Sequence, residues 1–194
     1  MKRVNINFDK ALANNKKFEK NAVNVVTSKF DKAQETFLTE FNSSLVTKEI
    51  EAGATAPNIS NTLGGVGNLF SFIGFNSTDN PIEELRDLIK NGFKLSRKKS
   101  SNSIRFEIEY PNLNKIKNVT RMPWENGNSW AVGIERGISG FSSYMYKKFV
   151  EGRSKEGLQS KNKIRSNTFR TTKYISGMIN NFVKNIEKIK WKYN

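Results

Sequence analysis

Ile104-Arg-Phe-Glu-Ile-Glu-Tyr110 carries the clearest structural signal in the chain. Its apolar residues alternate with charged ones, which is the pattern of a strand with one buried face, and Pro111 ends it. Residues 93–97 predict a second, short strand before it, with a hairpin tip over residues 98–103. The two strands indicate a small antiparallel sheet within an α+β fold.

A long helix is predicted upstream of the hairpin, over about residues 8–51. Its apolar residues recur at steps of three and four, which places them on one helical face. That face consists of Phe18, Ala22, Val26, Phe30, Ala33, Phe37, Phe41 and Leu45. A continuous helix over residues 15–50 would be about 50 Å long, which exceeds the width of a small domain. Either the helix breaks near residues 24–28, or one end projects and packs on a neighbouring molecule.

A loop, a strand and a helix are predicted between the long helix and the hairpin. Residues 52–67 are rich in Gly, Ala, Thr and Asn, as loops are. Residues 68–75 carry phenylalanines at alternate positions, which predicts a strand. Pro81 begins a helix, with Asp79 or Asn80 as its N-cap.

The elements after the hairpin are predicted with the following bounds. Residues 112–128 are irregular, residues 129–138 form a strand, and residues 139–150 form a helix. A loop rich in Gly, Ser and Lys covers residues 151–168, and an amphipathic C-terminal helix covers about residues 170–191. Without an internal repeat or a domain boundary, the whole chain is predicted to be one domain, with its sheet and helices over about residues 68–150.

The composition excludes most kinds of catalytic site. The chain has no Cys and no His, so thiolate nucleophiles, His-dependent triads and zinc sites built on imidazole or thiolate are excluded. We therefore expect a protein that is not an enzyme and that needs no cofactor or metal. No apolar segment follows Lys2 and Arg3, and the apolar-leaning residues 63–75 are too short to span a bilayer. A protein without a secretory signal or a membrane anchor is expected.

Three short patterns resemble catalytic motifs but lack their partners. Leu63-Gly-Gly-Val-Gly67 is a glycine turn without the Gly-Lys-Ser/Thr of a phosphate-binding loop, and a strand is predicted after it. Ser96 and Lys99 have the Ser-x-x-Lys spacing without the accompanying motifs. Glu107 and Glu109 lie about 7 Å apart along a strand, but on its solvated face next to cations. Each pattern has an ordinary structural explanation.

The formal net charge of +15 limits the choice of partners. It is compatible with nucleic acid, with acidic protein neighbours, or with a role in solubility alone. Two groups of cations are predicted to project from the scaffold towards DNA or an acidic partner. The first group is Lys94, Arg97, Lys98 and Lys99, and the second is Arg153, Lys155, Lys161, Lys163 and Arg165. No aromatic residue is interleaved with them, so contacts with phosphates, without sequence preference, are expected.

Aromatic residues supply the candidates for a subunit interface. Phe18, Phe30, Phe37 and Phe41 lie on the predicted long helix, and Trp124 and Trp130 flank a polar, turn-forming segment. Tryptophan in such a segment is either a core anchor or an interface hot spot. The sequence leaves both interpretations open.

Four segments resemble structural proteins of tailed bacteriophages. They are Asn68-Leu-Phe-Ser-Phe-Ile-Gly-Phe75, Pro81-Ile-Glu-Glu-Leu-Arg86, Ser129-Trp-Ala-Val-Gly-Ile-Glu-Arg-Gly-Ile-Ser-Gly-Phe141 and Tyr174-Ile-Ser-Gly-Met-Ile-Asn-Asn-Phe182. Taken in order, they are similar to the neck and tail-completion proteins of the head–tail junction. The Thr-Gly-x-Leu turn usual in that family is present only loosely, as Gly65-Val-Gly67-Asn-Leu69, and the basic loop over residues 151–168 is additional.

The resemblance implies a fold and a place in a virus particle. The fold would be a long N-terminal helix, a glycine-containing turn, a small antiparallel sheet and a packing helix. The protein would be a virion subunit forming a homo-oligomeric ring, sixfold or a multiple of six, around the DNA channel and against other neck and tail proteins. The alternative hypothesis is a free, sequence-independent nucleic-acid-binding protein.

Overall fold

The computed structural model describes residues 2–8, 15–64, 67–100, 103–123, 125–136 and 172–188. The strands are β1 (Lys2–Phe8), β2 (Lys94–Ser100), β3 (Ser103–Tyr110), β4 (Arg121–Met122) and β5 (Glu125–Ser129). The helices are α1 (Lys16–Ser43), α2 (Leu45–Glu51), α3 (Leu69–Ile73), α4 (Pro81–Gly92), α5 (Leu113–Val119), α6 (Trp130–Glu135) and α7 (Ile175–Glu187). The predicted α+β class, with its long N-terminal helix and small antiparallel sheet, is confirmed.

The predicted strand at residues 104–110 forms the centre of a three-stranded antiparallel sheet. Strand β3 pairs with β2 on one side and with β1 on the other, so the order is β1-β3-β2. Strand β1 was not predicted, and the predicted start of the long helix at Phe8 is wrong because Phe8 pairs with Ile104 in the sheet. Strand β3, the partner of β1, lies about one hundred residues away in sequence, so no local pattern near β1 indicates the pairing.

Helix α1 is a core helix along its length. The side chain of Asn15 caps it by accepting hydrogen bonds from the amides of Lys17 and Phe18, at 3.0 and 3.1 Å. The helix continues through residues 24–28, so of the two alternatives left open by the sequence, a break at these residues does not occur. The helical backbone is interrupted at Ser44, where ψ is 132°, and α2 begins at the next residue.

The core extends from the contacts of α1 with the sheet and α7 to buried side chains of helices α2 to α6. Near the start of α1, Ala22 and Val26 pack with Phe8, Ile104 and Phe106 of the sheet. Further along, Phe182 of α7 lies where α1 meets the end of the hairpin. Its ring centroid is 6.4 Å from Phe30, 4.6 Å from Phe93 and 5.9 Å from Tyr110.

The strand predicted over residues 68–75 is wrong, because residues 69–73 form helix α3. The side chain of Asn68 caps this helix by accepting a hydrogen bond from the amide of Ser71 at 2.8 Å. Gly74, with φ of +90°, ends it in the left-handed conformation that glycine adopts readily. The alternating phenylalanines suggested a strand, but the residues at the two caps determine a single helical turn.

The elements predicted between residues 112 and 138 are also corrected. Residues 113–119 form α5, and a short antiparallel pair, β4 and β5, follows. The predicted strand over residues 129–138 is instead β5 up to Ser129 and then α6. The Ser129 hydroxyl caps α6 by accepting a hydrogen bond from the Val132 amide at 3.2 Å.

Several predicted elements lie outside the described residues. These are the helix over residues 139–150, the basic loop over residues 151–168, and residues 170–171 and 189–191 of the predicted C-terminal helix. Residues 172–174 are described and are not helical, so that helix begins later than predicted, at Ile175. Among the helices that the structure describes, none has the length and apolar character needed to cross a bilayer.

Candidate nucleic-acid interface

The three-stranded sheet has one apolar and one polar face. The register places Ile104, Phe106 and Ile108 of β3 towards α1 and the core. The polar face carries three rows of residues that lie side by side across β1, β3 and β2. The rows are Arg3, Glu109 and Lys94, then Asn5, Glu107 and Ser96, and then Asn7, Arg105 and Lys98. Seven of these nine side chains are exposed, and only the two glutamates of the central strand are not.

Ion pairs neutralise both carboxylates of the polar face. Oε1 of Glu109 accepts from Nε of Arg3 at 3.0 Å and lies 2.9 Å from its Nη2. Oε2 of Glu107 lies 2.8 Å from Nζ of Lys98. The four cations of the face therefore exceed its two carboxylates, and two positive charges remain in surplus.

Glu107 is not suited to proton transfer near neutral pH. A hydrogen bond from Lys98 lowers its pKa below the ordinary value of 4.5, and the charges of Lys98, Arg3 and Arg105 act in the same direction. A general acid needs a raised pKa, so the lowered pKa of Glu107 does not suit it to the general-acid role in a glycosidase. Glu107 and Glu109 hold cations in place.

Lys94 and Arg105 supply the surplus charge. Lys94 is exposed at the start of β2, and Nε of Arg105 donates a hydrogen bond to Asn7 Oδ1 at 3.0 Å. Among the described residues, no carboxylate lies within ion-pair distance of either side chain. Of all the cations on the polar face, these two are the best placed to meet an anionic partner.

The predicted hairpin tip is corrected, because β2 extends to Ser100 and includes Lys98 and Lys99. Arg97 and Lys99 lie opposite Phe106 and Ile104, on the face of the sheet that packs on α1. Lys94 and Lys98 lie on the polar face. The four cations predicted to act as one projecting group are therefore divided between the two faces.

Glu19 of α1 binds both cations on the helix side. Its Oε1 lies 3.0 Å from Arg97 Nη1, and its Oε2 lies 2.5 Å from Lys99 Nζ. The hydrogen bond from Lys99 is the largest cause that lowers the pKa of Glu19, and the charges of Lys99 and Arg97 add to it. This pairing joins the first turn of α1 to β2 and leaves Arg97 and Lys99 less available to a ligand.

The expected interface aromatics lie inside the chain. Phe30, Phe37, Phe41 and Trp130 are at most 7% exposed, so assigning them to a subunit interface is corrected to the core. Of the two roles left open for Trp130, the structure places it as a core anchor, 6.1 Å from the ring of Phe75.

The two remaining interface candidates, Phe18 and Trp124, are not assigned to the core in this way. Phe18 is partly buried against Phe8, with ring centroids 5.7 Å apart. Trp124 lies outside the described residues, as do Arg153, Lys155, Lys161, Lys163 and Arg165.

Sequence reasoning missed a buried carboxylate that organises the glycine-rich loop. Oε1 of Glu49 accepts hydrogen bonds from the Asn58 side chain and the Leu69 amide, both at 2.7 Å. Oε2 accepts from the Ser60 amide at 2.8 Å. The expectation that a strand follows the glycine turn is wrong, because helix α3 follows it. The first amide of α3, that of Leu69, donates to Glu49 and is therefore not available to a phosphate. No sequence motif distinguishes Glu49 from the other charged residues of the predicted long helix.

No protein-family model matches the sequence, and comparison with curated proteins and with solved structures finds no match.

Proposed function

We propose that this chain is a non-catalytic structural subunit of a tailed-bacteriophage neck. In this role several copies form a ring at the head–tail junction, sixfold or a multiple of six, and contact other neck and tail proteins in the virion. The polar face of the sheet is the surface directed towards DNA or an acidic neighbour.

The order of elements supports this proposal. A long helix α1, a glycine-containing loop, an antiparallel hairpin β2–β3 and a C-terminal packing helix α7 follow one another as in the family that the sequence resembles. Two of the segments that carry the resemblance are helical rather than extended, and β1 precedes the long helix. The support therefore comes from the sequence of elements along the chain and not from the detail of those segments.

The single observation that carries the proposal is the exposed, basic face of a one-sided sheet. One face of the sheet is closed by α1, while the other presents two surplus cations and no apolar side chain. Such a face gains little from burial in a hydrophobic interface. It suits contact with phosphates or carboxylates across water, as in the lining of a channel that DNA passes through. Contacts between different patches of neighbouring copies close into a ring when the rotation allows.

The location test is mass spectrometry of purified virions from the phage that encodes the chain. We expect the chain among the structural proteins, in a copy number of six or a multiple of six. Native mass spectrometry of the purified chain, alone and with candidate neck proteins, should show ring-sized assemblies. A chain that is absent from virions and monomeric at every concentration would reject the proposal.

A second candidate is a free, sequence-independent nucleic-acid-binding protein. The surplus charge of the polar face and the net charge of +15 favour it. Such a protein binds DNA tightly as a monomer or dimer, and its affinity falls steeply with salt, by about 0.9 log units per neutralised phosphate for each tenfold rise in salt. A ring subunit should instead bind DNA weakly when alone. Measuring DNA affinity against salt on a monomeric sample separates the two.

A further inference from the structure

In the part of the chain that the structure describes, strand β1 is an edge strand of the sheet. It pairs with β3 on one side in an uninterrupted register from Lys2 to Phe8, without a proline or a bulge. On its other side, no main-chain group of the described residues pairs with residues 2–7. An open edge of this kind presents a row of amide and carbonyl groups that can pair with another strand.

A groove runs along this edge. Five consecutive residues of β1, from Val4 to Phe8, line it together with Ile186 and Glu187 of α7, and its volume is about 410 Å³. Because consecutive strand residues point to opposite faces, a groove lined by all five follows the main chain itself. Five residues span roughly 17 Å, enough for an added strand of the same length. The partly exposed side chains of Val4 and Ile6 give the groove apolar surface on one face of the strand.

The charges around the groove define the partner. Lys2 and Arg3 lie at the start of β1, and Lys188 directly follows the groove residue Glu187. A second copy would bring the same cations and its own charge of +15. Like charges placed opposite each other across strands are destabilising, whereas opposite charges are favourable. The edge therefore fits an acidic segment better than another copy of this chain.

We propose that the outer edge of β1 binds an extended, acidic segment of a partner protein as a fourth strand. Main-chain hydrogen bonds to residues 3–7 provide the affinity, as in other cases of strand addition. An apolar side chain of the segment lies beside Val4 and Ile6, and the carboxylates of the segment face Lys2 and Lys188. The inference does not depend on ring formation, since strand addition uses main-chain groups of β1 and not the surplus cations Lys94 and Arg105 of the polar face.

The probe is a blocked seven-residue peptide with glutamate and valine alternating. Two control peptides have lysine in place of every glutamate, or proline in place of the central valine. We expect the acidic peptide to bind the full chain at least tenfold more tightly than either control, by fluorescence anisotropy. Bound acidic peptide should slow amide hydrogen exchange in Val4–Asn7 and leave β2 unchanged.

Charge variants test the orientation of the partner. Lys2→Glu with Lys188→Glu should weaken binding of the acidic peptide at least tenfold. The matched control is Lys20→Glu with Lys29→Glu, which changes the net charge equally at exposed positions of α1 and should alter affinity less than twofold. Glu187→Gln removes from the groove a negative charge that repels the acidic peptide, and it should tighten peptide binding about threefold at low salt.

Three outcomes would overturn the inference. Slowed exchange in β2 instead of β1 would assign the peptide to the other edge. Slowed exchange of β1 on concentrating the protein alone would assign the edge to a second copy. Faster exchange of β1 in a chain that ends at Lys188, with no peptide added, would assign the edge to the chain's own residues 189–194.

Discussion

Glu49 shows how one buried side chain holds a loop of irregular structure. It is fully buried, and three hydrogen bonds attach the segment from Asn58 to Leu69 to helix α2. A carboxylate suits this position because both of its oxygens accept and neither donates. The loop has few apolar residues of its own, so its conformation depends strongly on this one group.

Replacing Glu49 should destabilise the protein measurably. Glu49→Gln places an amide that donates opposite groups that also donate, and we expect a loss of about 2 kcal/mol in the free energy of unfolding. Glu49→Ala leaves three donors without their acceptor and should cost about 3 kcal/mol. Urea unfolding followed by circular dichroism measures both. Glu35→Gln, at an exposed position of α1, is the control and should change stability by less than about 0.5 kcal/mol.

Glu19 should make stability depend on pH in the acid range. Its pKa is lowered in the folded chain by the hydrogen bond from Lys99, so the folded state holds this proton less tightly than the unfolded state. Its contribution is therefore complete above the ordinary pKa of 4.5 and is lost as pH falls through the lower folded value. Wild type should be more stable than Glu19→Gln at pH 7, and the difference should shrink below pH 4.5.

Unfolding both proteins in urea at a series of pH values measures that difference. Lys99→Gln should reproduce most of the effect, because Lys99 is the main cause of the shift. A difference between wild type and Glu19→Gln that stays constant across the acid range would show that the pairing with Lys99 does not shift the pKa of Glu19.

At the scale of elements, the sequence predicted those whose own pattern and caps agree. Strand β3, helix α4 and helix α7 were predicted because each has one clear period and, in α4, a proline at its first position. Over residues 68–75, phenylalanine spacing predicts a strand, whereas the caps Asn68 and Gly74 define a short helix. The pairing of β1 with β3 has no local signal, since a strand is stabilised by a partner distant in sequence.

Where the end of α4 meets the residue that follows β3, replacing a glycine with alanine is expected to lower stability instead of raising it. Gly92 ends α4, and a Cβ added there would lie 2.5 Å from Cγ of Pro111, which follows β3. Alanine normally favours a helix over glycine by about 1 kcal/mol. Here we expect Gly92→Ala to destabilise the protein by about 2 kcal/mol, because neither the helix end nor the proline ring can move without disturbing the core.

Gly177 of α7 is the matched control for Gly92. A Cβ there would lie 3.3 Å from Cβ of Lys173, an exposed residue before the helix that can shift slightly. Gly177→Ala should be neutral or should stabilise by up to about 1 kcal/mol. Thermal unfolding of the two variants compares them directly, and equal effects would mean that the contact with Pro111 does not restrict Gly92.

At the scale of the whole molecule, composition predicted the surplus of positive charge but not its distribution. Lys94, Arg97, Lys98 and Lys99 are adjacent in sequence and were expected to act together. Alternation along β2 divides them between two faces, and Glu19, about eighty residues away, forms ion pairs with two of them. Arg105, which no prediction singled out, faces the same side as Lys94 because β3 lies beside β2. Pairing across strands, and not proximity in sequence, therefore determines which cations share a surface.

The division of charge leads to a prediction for DNA binding. Lys94→Gln with Arg105→Gln removes both surplus cations of the polar face, and Arg97→Gln with Lys99→Gln removes the pair held by Glu19. Both double variants have a net charge two units lower than the wild type.

If the polar face contacts phosphates, the first variant should lose about tenfold in affinity for a short duplex and about two units of salt slope. The second should lose clearly less affinity, because Arg97 and Lys99 share Glu19 and lie on the face of the sheet that packs on α1. Fluorescence anisotropy at several salt concentrations measures both quantities, and an equal loss in the two variants would show that net charge, not this face, governs binding.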